Sequence, residues 1–288
     1  MRFVVFGAGA IGGSVGTLLS RAGHDVAFIA RGPHREAIRE HGLRCETPDG
    51  VFVVRAPVVS SPSDGDIVLL AVKTQDVEGA VRSIAPDIPV VCMTNGIAAE
   101  RIAANHVREV YGAHVFVPAT HLEPGIVQLW ASPMPGAIDI GCYPQGVTPL
   151  ANKICSALRS AGFASEVRDD IMRYKRGKLL GNLGNVLEVL QGPNVADEEI
   201  HARAREEALA CFEAAGLSYT IEEPQVSLKP IEGATRTGCS TWQSFARGKQ
   251  LEVDFFNGEI VALGRAHGVP TPINAALQRL VAAKLRRE

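Results

Sequence analysis

Three glycines near the start of this 288-residue chain have the spacing of a phosphate-binding turn. Gly7, Gly9 and Gly12 form the pattern G-x-G-x-x-G. The first glycine permits a tight turn, the second lets the backbone approach phosphate oxygens, and the third lets a helix pack closely on a strand. A helix starting in this turn directs its free N–H groups and positive dipole end at an anion. We expect the pyrophosphate of a dinucleotide to bind at Gly7, Ala8, Gly9, Ala10, Ile11 and Gly12.

The sequence on either side of the glycine turn supplies the context that this motif needs. Residues 1–6 read as a buried strand, and apolar residues recur at helical spacing from Val15 to Ala22, before Gly23. A glycine pattern without such flanks can arise in a plain loop. The strand before it and the helix after it favour dinucleotide binding.

Arg31 ends a second short strand, over residues 24–31, at the position that contacts the adenosine ribose in this type of fold. A site specific for NAD would place Asp or Glu there to accept a hydrogen bond from the 2′-hydroxyl group. A guanidinium can instead pair with a 2′-phosphate, which a carboxylate would repel. The sequence therefore predicts NADP as the cofactor, the alternative being a solvated surface arginine.

Two further apolar runs, residues 66–72 and 89–93, read as parallel strands of the same sheet. Lys73 follows the first and Asn95 the second. Ligands in open α/β sheets gather beyond the carboxyl ends of the strands, so Lys73 could contact cofactor ribose or phosphate, and Asn95 the nicotinamide ribose or a substrate. A capping or solvated lysine and a simple Asn-Gly turn are the alternatives.

A lysine and two asparagines recur at helical spacing in the second half of the chain. On one continuous helix, with about 100° per residue, Lys178, Asn182 and Asn185 would lie within roughly 60° of one another. Gly181 and Gly184 would let another element approach this face closely, at a cost in helix propensity. The pattern predicts a polar face on an otherwise apolar helix, the alternative being the solvated side of an amphipathic helix.

The composition is typical of a globular protein and excludes several classes of partner. Hydrophobic residues make up 46% and charged residues 21% of the chain, and the formal net charge is -2. This balance disfavours nucleic-acid and membrane-surface partners. The first strand leaves no room for a signal peptide and no apolar run would span a bilayer, so we expect a cytoplasmic protein. The six cysteines lack metal-ligand spacing, which predicts reduced thiols and no metal site.

The sequence pattern changes near residue 165. Strands and helices alternate before it, whereas helical periodicity dominates after it. The fold class expected is therefore α/β, with an N-terminal Rossmann dinucleotide-binding domain (residues 1–165) followed by an all-helical C-terminal domain (residues 166–288). The helical domain is expected to bind substrate, and a homodimer is possible because such domains often expose apolar faces. His121 is interpreted as a loop residue.

The chain resembles ketopantoate reductases along almost its whole length. The fragments that carry the resemblance, in order, are Gly7-x-Gly9-x-x-Gly12, Arg31, Val72-Lys73, Asn95-Gly96, Lys178 with Asn182, Pro193-Asn194, Ser240-x-x-Gln243, Glu252-x-Asp254-x-x-Asn257-Gly258 and Gly268-Val269-Pro270-Thr271-Pro272. The resemblance implies a Rossmann domain followed by a helical domain. It also implies that NADPH reduces a branched 2-oxo acid to the 2-hydroxy acid, on the way to pantothenate.

The resemblance also implies roles for individual residues. Lys178 is similar to the general acid that protonates the carbonyl oxygen as hydride reaches the carbon. Hydride addition leaves an alkoxide, which needs a nearby cation and proton. Glu252 matches a carboxylate near the reacting centre and the nicotinamide ribose, and could orient Lys178. The positions that match contacts to the substrate's carboxylate and hydroxyl groups are Asn182, Asn194 and Ser240, with Asn95 shared between substrate and cofactor.

Three departures from the family pattern lie on the substrate side. The second helical asparagine, Asn185, comes seven rather than eight residues after Lys178; we retain it as a substrate-binding candidate with altered reach. Ser244 stands where the family usually has an acid, and Arg176 where an aromatic residue is common. Besides ketopantoate reduction, the sequence leaves open a same-fold NADP-dependent reductase of another carbonyl or imine. A redox sensor that binds NADP without turnover is the remaining alternative.

Overall fold

The computed structural model describes residues 1–286, which fall into two units. The first unit comprises residues 1–95, 99–172 and 223–235, and the second comprises residues 96–98, 173–222 and 236–286. Every strand of the described chain lies in the first unit. The strands are β1 (Arg2–Phe6), β2 (Asp25–Ile29), β3 (Leu43–Thr47), β4 (Gly50–Val54), β5 (Asp66–Leu70), β6 (Val90–Cys92), β7 (Val110–Phe116), β8 (Ala119–Thr120), β9 (Ile126–Leu129) and β10 (Ala137–Cys142).

Helices follow the strands in the first unit and make up the regular structure of the second. They are α1 (Ala10–Arg21), α2 (Gly32–His41), α3 (Val77–Val81), α4 (Ala99–Ala103), α5 (Pro149–Ser160), α6 (Ile171–Asn182), α7 (Asn185–Gln191), α8 (Glu198–Ala214), α9 (Ser240–Phe245), α10 (Asn257–His267) and α11 (Pro272–Leu285). Two 3₁₀ turns, Thr74–Asp76 and Val253–Phe255, complete the described elements.

The main sheet of the first unit has the strand order β10-β7-β6-β5-β1-β2, and only β10 runs antiparallel to its neighbour. All five residues of β5 are buried, because this strand lies between β1 and β6 and both faces of the sheet are covered. Residues 57–59 extend the sheet beyond β2, with the Val59 N–H donating to the Phe28 carbonyl at 2.9 Å. The order reverses between β1 and β5, which is where doubly wound sheets bind ligands.

A second sheet in the same unit has the order β4-β3-β9-β8. Its β3 and β4 strands form an antiparallel hairpin around Pro48-Asp49-Gly50, with Thr47 opposite Gly50. Helix α1 packs between the two sheets. A Cβ atom on Gly12 would lie 2.8 Å from Val5 in the main sheet, and one on Gly13 would lie 2.7 Å from Val127 in the second sheet. Two adjacent glycines thus let one helix approach both layers.

The second unit has a core of its own, built from helix faces. Its largest fully buried side chains are Phe212 and Phe256, which pack with leucines and valines of α6, α7 and α11. The fold class expected from the sequence is confirmed: a Rossmann-like α/β region followed by a helical C-terminal region. Within residues 1–286, no helix combines the length and apolar character needed to cross a membrane.

Candidate functional site

The first unit brings the predicted cofactor-binding positions to one edge of its main sheet. Strands β1, β2, β5 and β6 are parallel and in register, so that Phe6 lies opposite both Ile29 and Leu70, and Leu70 opposite Cys92. Each strand is followed within three residues by one of the predicted positions, which are Gly7, Arg31, Lys73 and Asn95. All four therefore lie beyond the carboxyl ends of neighbouring strands.

Each of the three motif positions is occupied by glycine for a different structural reason. Gly7 adopts a φ of +101°, and a Cβ atom there would lie 3.0 Å from the Ala71 backbone. A Cβ atom on Gly12 would collide with the Gly7 carbonyl oxygen, so this position holds α1 close to the turn. Gly9 has an ordinary φ of −72°, and a Cβ atom there would meet nothing within 4 Å. The open space beside Gly9 is where phosphate oxygens can approach the backbone.

The N-terminus of α1 has the electrostatics of an anion site. No side chain caps it, and its first turn contains no acidic residue. The first N–H groups of a helix lack partners within the helix and carry a partial positive charge. With the open space beside Gly9, the turn fits the pyrophosphate of a dinucleotide.

His34 is a residue of this turn that sequence reasoning missed. Its Nδ1 accepts a hydrogen bond from the Gly125 N–H at 2.8 Å, so its Nε2 must carry the proton that is donated to the Ala8 carbonyl at 2.7 Å. Burial lowers the pKa of His34, and the nearby His121 ring acts in the same direction. A neutral His34 thus ties α2 to the glycine turn. Nothing in the sequence spacing signals that contact.

Arg31 immediately precedes α2 and is exposed. This exposure is compatible with a contact to a 2′-phosphate and equally with the solvated alternative. Arg35 lies one helical turn later, and its Nε is buried without a hydrogen-bond partner among the described residues, 4.0 Å from the Glu36 carboxylate. Sequence reasoning did not single out this second guanidinium, which makes the start of α2 more favourable for an anion.

Lys73 and Asn95 are both half-buried. Lys73 begins the 3₁₀ turn Thr74–Asp76, in which its carbonyl accepts from the Asp76 N–H at 2.8 Å. Gly96 has a φ of +78°, which is the backbone conformation that makes Asn-Gly a favourable turn. The backbone at these two positions therefore agrees with both the cofactor-binding and the plain-turn interpretations.

In the second unit, α6 carries Lys178 and Asn182 but not Asn185. The expectation of one continuous helix is wrong: α6 ends at Asn182, Leu183 and Gly184 form a turn, and Asn185 begins α7. The Asn257 Nδ2 donates to the Leu183 carbonyl at 3.2 Å, at the point where the helix is interrupted. A side-chain donor inserted into the helical ladder beside low-propensity glycines explains the break.

Hydrogen bonds of Asn257 and its neighbours stabilise the chain between α6 and α7. Asn257 is fully buried, and its Nδ2 also donates to the Asn274 Oδ1 at 3.0 Å. Asn274 in turn donates to the Ala204 carbonyl at 2.9 Å and to the Glu207 carboxylate at 2.8 Å. The end of α6 is thereby fixed to α8, α10 and α11. Asn274 was not predicted, because an isolated asparagine near the start of a helix gives no such signal.

Lys178 lies half-buried on α6, and its pKa is lowered from its ordinary 10.5 to about 7. Burial is the main cause, because it disfavours the charged form. The charge of Lys175 acts in the same direction, whereas the carboxylate of Glu252 raises the pKa. Glu252 itself is 6% exposed and precedes the 3₁₀ turn Val253–Phe255. A fully solvated lysine would not have its pKa lowered in this way.

Asn182, one turn beyond Lys178, has a buried amide nitrogen without a hydrogen-bond partner among the described residues. A buried donor left unpaired costs about 1–3 kcal/mol. A ligand oxygen would remove that cost, as expected of a substrate-binding amide.

Asn194 and Ser240 belong to one loop arrangement of the second unit. Asn194 has a φ of 61°, and its Oδ1 accepts from the Gly238 N–H at 3.3 Å. Gln243 donates to the Gly238 carbonyl at 3.2 Å, so both side chains fix the segment that leads into Ser240 at the start of α9. Ser244 is buried and donates to the Ser240 carbonyl at 3.0 Å, where the family pattern would place an acid.

The chain is similar to ketopantoate reductases in sequence and structure. Residues 3–145 match the family described as ketopantoate reductase PanE/ApbA, and residues 170–285 match its C-terminal region. The chain is 30% identical over 296 residues to 2-dehydropantoate 2-reductase of Pyrococcus horikoshii, with 99% of this chain and 97% of that protein covered.

Two solved structures extend the comparison. The ketopantoate reductase of Ralstonia eutropha JMP134 aligns with a TM-score of 0.84 and 29% identity, over 100% of this chain and 99% of that chain. A D-mandelate dehydrogenase, solved with NADH and anilino(oxo)acetate, aligns with a TM-score of 0.87 and 24% identity over the same shares. At that identity, the second likeness is one of fold alone.

Alanine at Gly12 should affect stability, whereas alanine at Gly9 should affect ligand binding. Gly12→Ala should lower the free energy of unfolding by about 1–3 kcal/mol, because its methyl group collides with backbone. Gly9→Ala should leave that free energy unchanged but weaken binding of a dinucleotide, because the methyl group occupies the open space of the turn. Urea denaturation and NADPH fluorescence titration measure the two effects.

Gly79→Ala is the matched control for this pair. Gly79 lies in α3, and a Cβ atom there would meet nothing within 4 Å. The substitution should leave binding unchanged and not lower stability. Wild-type NADPH affinity in Gly9→Ala would exclude the turn as the phosphate site.

Proposed function

Because this chain belongs to the ketopantoate reductase family, we propose that it reduces 2-dehydropantoate (ketopantoate) to pantoate with NADPH. The family is one of dinucleotide-dependent oxidoreductases, and the chain is a reductase of a small molecule. The observation that carries the proposal is the pKa of Lys178 near 7, on the same helix as the unpaired amide nitrogen of Asn182. Together they supply a proton donor and a donor group for an anionic substrate.

The first unit is proposed to hold the cofactor through its main chain and two cations. The N–H groups of the glycine turn and of α1 bind the pyrophosphate, and Arg31 binds the 2′-phosphate. Lys73 and Asn95 contact the remainder of the cofactor from the ends of β5 and β6. When bound, NADPH supplies the hydride that reduces the carbonyl carbon.

Lys178 is proposed as the general acid. The carbonyl oxygen gains negative charge during reduction, and the Lys178 ammonium first stabilises that charge and then transfers its proton to the oxygen. The neutral amine takes up a proton from water before the next turnover. A pKa near 7 keeps the ammonium populated at neutral pH and makes its proton easy to release. The Glu252 carboxylate opposes complete loss of that proton, and we propose that it also orients Lys178.

The substrate is held in this proposal by neutral donors. Asn182 donates its unpaired amide hydrogens to a substrate oxygen, and together with Asn194 and Ser240 it contacts the substrate's carboxylate and hydroxyl groups. Asn185, which starts a separate helix, approaches the substrate from a direction that a continuous α6 would not give.

A second candidate is a same-fold reductase of another 2-oxo acid, another carbonyl or an imine. Two observations favour it: the break that separates Asn185 from α6, and the neutral Ser244 hydroxyl group engaged with the Ser240 carbonyl. The likeness to a D-mandelate dehydrogenase adds an aromatic 2-oxo acid to the compounds worth testing. A non-catalytic redox sensor is disfavoured, because a sensor has no need of a proton donor such as Lys178.

A substrate panel tests the proposed function directly. The purified protein should consume NADPH fastest with ketopantoate, followed by other branched 2-oxo acids, with an aromatic 2-oxo acid and an imine as comparisons. Loss of NADPH absorbance gives kcat/KM for each compound. A higher kcat/KM for another compound would favour the second candidate. Binding of NADPH without turnover of any compound would contradict both and leave the sensor.

Removing the amine of Lys178 should abolish turnover and spare cofactor binding. Lys178→Met should lower kcat by about 10²–10⁴-fold, because no group then protonates the oxygen. Lys178→Arg keeps a charge but does not release a proton at neutral pH, so it should be similarly slow. In the wild type, kcat/KM for reduction should fall as pH rises through about 7, since only the protonated lysine donates. Unchanged turnover in Lys178→Met would exclude the role.

Replacing Arg31 should reduce the preference for NADPH over NADH. Loss of a charge-assisted contact to the 2′-phosphate should lower the ratio of the two kcat/KM values by about tenfold or more. Arg39→Ala, an exposed arginine at the other end of α2, is the control and should leave the ratio unchanged. A ratio that falls in Arg35→Ala but not in Arg31→Ala would transfer the role to Arg35.

A further inference from the structure

His34, on α2, holds a backbone carbonyl group inside the glycine turn. Its Nε2 donates to the Ala8 carbonyl at 2.7 Å, while its Nδ1 accepts from the Gly125 N–H at 2.8 Å. Ala8 is 2% exposed, and a carbonyl group buried away from water needs a hydrogen-bond donor. The imidazole supplies that donor from a different element of the first unit.

The hydrogen bond to Ala8 also sets the direction of the Gly9 N–H, because both groups belong to one peptide unit. This peptide is trans and planar, so its C=O and N–H point in opposite directions. A Cβ atom on Gly13 would lie 2.7 Å from the Ala8 oxygen, which places that oxygen beside the first turn of α1. The Gly9 N–H therefore points away from Gly13 and from the His34 ring. Within residues 1–286, no hydrogen bond engages it.

Glycine at position 9 makes this peptide orientation one of two that the chain can adopt. Turning the peptide over changes ψ of Ala8 and φ of Gly9, and glycine accepts a positive φ about as readily as its present −72°. The turned-over peptide would present the Ala8 oxygen where the Gly9 N–H now points, and a carbonyl oxygen repels a phosphate. The donor on His34 disfavours that state, because the Ala8 oxygen would lose its hydrogen bond.

The His34 ring is itself held by the segment between β8 and β9. A Cβ atom on Gly125 would lie 2.9 Å from the Cβ atom of Ala37, so this segment lies close against α2. The ring centroids of His34 and His121 are 4.2 Å apart. Because Nδ1 accepts from the Gly125 N–H, the proton of the neutral ring stays on Nε2, where it is donated to the glycine turn.

We propose that His34 is a positioning residue for the cofactor: its hydrogen bond to Ala8 holds the peptide between residues 8 and 9 in the orientation that presents the Gly9 N–H to the pyrophosphate. The inference rests on the proposed function, in which the glycine turn binds NADPH. It gives His34 no contact with the cofactor and no part in hydride or proton transfer. NADPH and NADH share the pyrophosphate, so this role is separate from the one proposed for Arg31.

Two substitutions separate the contributions of the two ring nitrogens. His34→Gln can place an amide nitrogen near the position of Nε2 and keep a donor for Ala8. His34→Asn can place an amide oxygen near the position of Nδ1 and keep only the acceptor for Gly125. His34→Met lacks both groups and takes the place of the Asn variant should that one not fold. His41→Asn, at the exposed C-terminal end of α2, is the matched control.

Fluorescence titration gives the Kd of NADPH and of NADH for each variant, and urea denaturation verifies that each variant is folded. His34→Asn and His34→Met should raise both Kd values by about tenfold or more, since a hydrogen bond to a charged group is lost. The ratio of the two Kd values should stay at that of the wild type. His34→Gln should restore both Kd values to within about threefold of the wild type, and His41→Asn should change neither.

Wild-type Kd values in His34→Asn and His34→Met would overturn the inference. A loss of affinity in His34→Gln as large as that in His34→Asn would also overturn it, because the donor to Ala8 would then not be the group that matters. A loss confined to NADPH would assign His34 to the 2′-phosphate instead. If the wild type binds NADPH but turns over no 2-oxo acid, the proposed reaction fails, and the titrations still decide the role of His34. A wild type that binds neither dinucleotide would contradict both.

Discussion

The phosphate-binding half of the protein depends on one steric constraint: α1 can start directly above β1 only if no side chain lies between them. A Cβ atom on Gly12 would strike the carbonyl oxygen of Gly7, and one on Gly7 would press on the backbone that follows β5. Because neither position carries a side chain, the N-terminus of the helix lies at the point where the strand order reverses. The same close approach leaves Gly9 facing open space, so the packing that builds the fold also creates room for an anion. The same glycines allow the close packing of helix on strand and leave room for the anion. A short glycine pattern therefore predicts both the fold and the binding site.

In the second unit, the proton affinity of Lys178 is set by burial and by neighbouring charges. Two lysines share a face of α6, one of them almost fully buried, and the nearby carboxylate of Glu252 is also buried. Burial weakens the hold of Lys178 on its proton, and the surrounding charges adjust it in opposite directions. The hydrogen bonds from Asn257 to Leu183 and Asn274 fix the end of this helix without adding charge to it. The proposed proton donor therefore lies on a helix whose C-terminal end is held by neutral hydrogen bonds.

Much of this arrangement could be predicted from the sequence, because the signals were periodic or locally specific. The glycine turn, the buried strand β5 and the β3–β4 hairpin each follow from residues that are close in the chain. The break between α6 and α7 could not be predicted in this way, since it depends on Asn257, which lies 74 residues from Leu183 in the sequence. His34 and Asn274 were not predicted for the same reason. Their hydrogen-bond partners are distant in sequence, and a single polar residue does not indicate which distant group it will contact. Lys175 was not predicted, because spacing identifies a shared helix face but does not show that the side chain is buried.

The lowered pKa of Lys178 also couples the proposed activity to stability. In the unfolded chain a lysine keeps its proton up to about pH 10.5, whereas in the folded protein Lys178 releases it near pH 7. Between these values the unfolded state binds more protons, so the contribution of this group to stability rises with pH. Reduction needs the protonated lysine and therefore declines over the same range. Below about pH 7 Lys178 is protonated in the folded protein, although burial disfavours its charge. The proposed acid is therefore in its proton-donating form in this pH range. The protein is thus least stabilised by Lys178 under the conditions in which Lys178 is most able to act.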